Sequence, residues 1–212
     1  MQSLTSMNTN WAAENIQTIR TLMERATVYR RALAPVMTFT GVVGIAAAVV
    51  GERMHIHASH AFAGYWMVVS AIAVAGVGVL VRRQALKDGE AFWSPPTRRV
   101  TQALLPAFSG GLLAGVVFWW KVDGVEWTPF LPPIWVLLYG CGLHAAGFFM
   151  PRGIRLLAGL FVLGSAGSLL TILGFDLLSP RLSHPLMGGF FGALQLAYGL
   201  YLYLTEQRKS DA

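Results

Sequence analysis

Six long apolar runs divide this chain, at residues 34–50, 62–81, 104–120, 130–150, 156–175 and 186–204, and none of them contains Asp, Glu, Lys or Arg. Each holds about 17 to 21 residues, close to the ~20 that a helix rising ~1.5 Å per residue needs to cross ~30 Å of hydrocarbon. The runs lack the two-residue alternation of a membrane barrel strand, so helices are expected. The pattern predicts an all-α fold, a six-helix transmembrane bundle. Its parts are an N-terminal segment 1–33, a membrane domain 34–204 and a short tail 205–212. The polar stretch ahead of the first run is longer than a signal n-region, so no cleaved leader is expected.

Before the first run a different periodicity holds. Asn10 is a plausible N-cap with Glu14 in the first turn, and Ile16, Ile19, Leu22, Met23 and Ala26 fall on one helical face, with Arg20, Glu24 and Arg25 off it. This predicts an amphipathic helix lying along the membrane surface. The longest internal connection, 82–102, carries a turn at Asp88-Gly89 and a helix start at Ser94-Pro95, with serine as N-cap and proline at the first helical position. The third span is expected to continue from that helix. Gly111/Gly115 and Gly188/Gly192 form G-x-x-x-G pairs, which allow close backbone approach, either inside the bundle or between copies. Prolines near the starts of spans one and four give weak support to an inverted 3 + 3 repeat.

Composition agrees with the pattern: 55% apolar residues, 12% charged residues and a mean hydropathy of +0.54 describe a membrane protein. Charge then supplies an orientation. Of the 16 Lys and Arg residues, thirteen fall on one side of the expected membrane, and only Arg53, Lys121 and Arg181 on the other. The positive-inside rule places both termini in the cytoplasm, as an even number of spans requires. The net charge of +6 thus points to anionic lipid headgroups and argues against nucleic acid. Arg20, Arg25, Arg30 and Arg31, with Arg82, Arg83, Arg98 and Arg99, form a candidate cytoplasmic interface for lipid, a protein partner or a second copy. Trp93, Trp119, Trp120 and Trp127 fit interfacial anchors. Cys141 stands alone, which excludes an intrachain disulfide, and is expected in the core of span four.

Two constellations could carry chemistry. The first is His55, His57 and His60 beside Glu52 in the first outer loop, with His184 on the same side. Imidazoles are common ligands of Zn and Cu, so a metal site is one reading and solvated loop histidines another. No other cofactor is suggested. The second comes from counting depth along each span, which places Ser109, Tyr139, His144, Ser165, Gln195 and Tyr198 about 13 to 21 Å inside the membrane. Three readings stay open for this layer: interhelical hydrogen bonding, a small-molecule or lipid pocket, and proton or substrate translocation. The apolar runs hold no carboxylate, and no P-loop or G-x-S-x-G occurs. The sequence therefore leans away from an enzyme.

The segment from Glu14 to Ala26, the basic pair Arg82-Arg83 and the run Leu137-Leu138-Tyr139-Gly140 resemble an uncharacterised group of small six-span bacterial integral membrane proteins. The resemblance implies a multi-pass protein of the bacterial inner membrane without a known activity. Some members neighbour winged-helix regulators, which implies a sensory, regulatory or accessory role. The functional expectation is binding of a lipid, hydrophobic ligand or protein partner; a small transporter with a midplane polar site and an outer-face metal-binding protein are the alternatives.

Overall fold

A computed structural model describes residues 32–89, 91–120, 128–151, 153–174 and 180–210. The amphipathic segment with Arg20, Arg25, Arg30 and Arg31, and Trp127, lie outside the described residues. All regular structure among the described residues is helical: α1 (Ala32–Arg53), α2 (Ser59–Lys87), α3 (Pro95–Trp120), α4 (Leu131–Ala146), α5 (Gly153–Gly174) and, after a 3-10 turn at Pro180–Leu182, α6 (Ser183–Met187), a π-helical segment (Gly188–Leu194) and α7 (Gln195–Ser210). Among the described residues four helices are long and apolar enough to cross a membrane: α1, α2, α5 and residues Thr97–Trp120 of α3.

The ends of these helices follow local rules. After α2, Asp88 and Gly89 turn back onto the Gln84 and Leu86 carbonyls, and Gly89 takes the positive φ of 65° that glycine tolerates. Helix α3 begins where Ser94-Pro95 places it: the Arg98 amide donates to the Ser94 carbonyl, and the Ser94 and Thr97 hydroxyls pair at 3.0 Å. Helix α4 is shorter than its apolar run, because the chain leaves the helix at Gly147 and Pro151 disfavours helical geometry at Met150. Pro106, inside α3, cannot donate the bond to Gln102, which weakens the ladder there.

Packing follows chain order through α2, α3, α4 and α5, and the first helix then closes against the last. A row of small residues makes that closure possible. A methyl group on Gly44 would overlap the Phe191 carbonyl, one on Gly188 would meet the Ala48 side chain at 2.6 Å, and one on Gly199 would meet the Thr38 amide at 2.7 Å. Both G-x-x-x-G pairs therefore lie in internal contacts: Gly188 and Gly192 against α1, and Gly111 and Gly115 against Trp135 of α4. One buried cluster joins α1, α4, α5 and α7 through Leu33, Met37, Val136, Leu157, Phe161 and Leu202. A second joins α1, α2, α4 and α6 through Ala48, Phe62, Trp66, Leu131 and Met187.

Candidate functional site

The outer ends of α1, α2 and α6 meet at His184. Helix α1 ends in a Schellman turn: the Ile56 amide donates to Gly51 and the His55 amide to Glu52, with His55 at φ 54° where glycine is usual. This turn presents the Ile56 carbonyl to His184 Nε2 at 2.8 Å. The Trp66 indole N–H donates to Nδ1 at 3.2 Å. An indole nitrogen can only donate, so Nδ1 is the acceptor and Nε2 carries the hydrogen given to Ile56. His184 is fully buried, with Phe62 edge-on at 4.9 Å and the Gly51 Cα against its ring. Burial holds its pKa below the ordinary histidine value, opposed by the Ile56 carbonyl and the Glu52 charge and reinforced by His57.

His184 is therefore a satisfied neutral crosslink. His57 lies 5.9 Å from it between ring centroids and His55 6.0 Å from His57, while His55 and His60 are exposed. Among the described residues no three His, Cys, Asp or Glu side chains are arranged to hold a metal ion. His57 Nδ1 and Glu52 Oε2 are buried without a hydrogen-bond partner.

The six polar residues placed in one central layer by counting depth are dispersed. Ser165 is buried and donates to the Pro133 carbonyl at 2.7 Å, in the first turn of α4. The Tyr198 hydroxyl lies beside Gly153 at the start of α5. His144 falls in the last turn of the shortened α4, exposed, with its ring 5.9 Å from Phe148. Ser109 is exposed and donates to its own helix at Pro106. Cys141 is exposed as well, so the core position expected for it is corrected. A depth count gives height in the membrane but not azimuth around the helix.

Tyr139 and Gln195 come together. Gln195 is only 2% exposed, its side chain approaches the Tyr139 hydroxyl, and its Oε1 is buried without a partner. Tyr139 packs 5.0 Å from Phe161 and 5.2 Å from Phe191 between ring centroids. Gln195 directly follows the π segment, a distortion found often at functional sites.

These two residues form part of the wall of a cavity of about 1090 Å³ bounded by α1, α2, α3, α4 and the last helix. It reaches along α2 from Trp66 to Ala85, about 28 Å of helix rise. Its wall on α2 includes Trp66, Met67 and several valines, and among them the small Ser70, Ala71, Ala73, Ala75 and Gly78 leave space open to the neighbouring helices. Among the described residues no Asp, Glu, Lys, Arg or His lines it. At one end the wall includes Gln84 and Ala85 of α2 and Trp93, Thr97 and Thr101 around the start of α3, beside the exposed Arg82, Arg83, Arg98 and Arg99. The clustering of small residues in α2 was the available sequence signal for this cavity.

Compared with known protein families, curated proteins and solved structures, the chain matches none.

Proposed function

We propose that this protein is a six-span protein of the bacterial inner membrane, with both ends in the cytoplasm, that binds a lipid or other hydrophobic ligand in a sensory, regulatory or accessory role. In this reading α4 is the fourth span, and residues 186–204, from the end of α6 through the π segment into α7, form the sixth. The asymmetric distribution of Lys and Arg supports the orientation. The cavity carries the ligand reading: about 1090 Å³, lined among the described residues by uncharged side chains, is slightly above the usual size of small-molecule sites. Its wall offers dispersion contacts and a few hydroxyls, and among the described residues no carboxylate, imidazole, amine or guanidinium lines it.

Substitution of Ala73 by Trp tests this. The indole enters the cavity from α2, so hydrophobic molecules that co-purify with the wild-type protein and are detected by native mass spectrometry should be lost. The melting temperature in mild detergent should stay close to wild type. Retention of the same bound complement by a folded Ala73→Trp protein would sink the proposal.

A second reading, a small transporter with a midplane polar site, is favoured by one observation: Gln195 Oε1 is buried and unpartnered beside the cavity. It predicts proton entry into dye-loaded proteoliposomes faster than into empty liposomes, and loss of that difference in Gln195→Leu. Equal rates with and without protein would remove proton transport from consideration.

A further inference from the structure

The cavity's chemistry changes sharply at its basic end, and the ligand class follows from that change. Among the described residues its lining has no charged side chain, so an ionised group inside would lose hydration without a partner among them. Val81, Gln84 and Ala85 line the α2 side of this end, and Thr97, Val100 and Thr101 the α3 side. The exposed Arg82, Arg83, Arg98 and Arg99 are their sequence neighbours, within about one turn of the wall on each helix. The only acid among the described side chains at this end, Asp88, accepts a hydrogen bond from Gln84 at 2.9 Å. Phe92 and Trp93 are exposed beside it, in keeping with aromatic residues at headgroup level.

We propose, resting on the ligand-binding reading above, that the occupant is an anionic phospholipid: its phosphate lies among Arg82, Arg83, Arg98 and Arg99, and an acyl chain enters between α2 and α3. Guanidinium groups pair with phosphate oxygens through parallel N–H donors, and charge complementarity selects a net anionic headgroup, because the cation of a zwitterionic one is repelled by the same arginines. Length admits the chain, since the ~28 Å of wall exceeds the ~15 Å of one leaflet. Selection of the head outside and of the chain inside makes the two halves of the site separable by mutation.

The test uses the full chain, washed free of lipid in detergent and titrated with phosphatidylglycerol or phosphatidylcholine of identical acyl chains, with bound lipid counted by native mass spectrometry. Phosphatidylglycerol should be retained about tenfold more than phosphatidylcholine, a conservative figure for several arginines near one phosphate. Arg98→Gln combined with Arg99→Gln should bring that ratio towards one, while Arg53→Gln combined with Arg181→Gln should leave it unchanged. Ala73→Trp should remove both lipids. Equal retention of the two lipids, still abolished by Ala73→Trp, would overturn the headgroup assignment and leave the cavity reading standing. A phosphatidylglycerol preference that survives Ala73→Trp would show only a basic surface and overturn the proposal. Retention of neither lipid would overturn both readings.

Discussion

Trp66 on α2 donates its indole N–H to Nδ1 of His184 across 3.2 Å, and through the other ring nitrogen His184 ties both helices to the turn after α1. Replacing His184 by Ala leaves the buried Trp66 donor and the partly buried Ile56 acceptor without these partners. Each orphaned group costs about 1 to 3 kcal/mol, so thermal unfolding in detergent should show a loss of several degrees or more. His184→Gln, which can restore one of the two bonds, should recover part of it.

The same residue gives the protein a pH dependence. The folded-state pKa of His184 is depressed below 6.5, so between that value and 6.5 the unfolded chain binds more protons than the folded one. Stability is then fully present above pH 6.5 and declines as the pH falls towards the folded-state pKa. Melting curves from pH 7.5 down to 5 should show a decline that is smaller in His184→Gln; identical slopes in the two proteins would remove His184 as its source.

His55 sits at φ 54° in the position of the turn that usually holds glycine. Its exposed side chain gives little in return for the strain. His55→Gly should therefore raise stability by about 0.5 to 1 kcal/mol, read as a modest upward shift of the melting temperature. A decrease would show that the His55 side chain contributes more than its exposure suggests.

Glycines in the α1 closure should differ sharply from those elsewhere. A methyl group on Gly192 would meet the Ile45 amide nitrogen at 2.8 Å, whereas one on Gly159 meets nothing within 4 Å. Gly192→Ala should cost about 1 to 3 kcal/mol by overpacking, and Gly159→Ala should be neutral or slightly stabilising through helix propensity. Melting temperatures of the two variants, compared side by side, check this.

Single cysteines in a Cys141→Ser background test the orientation. Introduced at Lys87 and at Arg53, they should react with an impermeant maleimide from opposite sides of the membrane, the first only after the cells are opened. Labelling of both from the same side would contradict the arrangement proposed for the spans.

The helices were legible because apolar runs of membrane length leave little choice of structure, and because Ser94-Pro95 and Asp88-Gly89 are strong local signals. The extent of α4 was not, since its apolar run continues through Phe148 and Phe149 after the backbone has left the helix at Gly147. That difference moved His144 into the last turn. For Ser109 and Cys141 the missing quantity was rotation about the helix axis, which depends on neighbours and not on sequence position. Tyr139 and Gln195 were named for their depth, but their meeting depends on how the last helix crosses α4. His184 was noted for its chemistry as a metal ligand, while its observed bonds go to a tryptophan and a backbone carbonyl far away in sequence.

Closure of α1 against the last helix also sets an order of assembly. Chain synthesis delivers α1 well before the residues that fill its notched face, from Phe191 to Gly199. Until then the close contacts of Gly41 and Gly44 are unmade, and the cavity lacks the wall that carries Gln195. Ligand binding at that wall can begin only once the helix that carries Gln195 has been made.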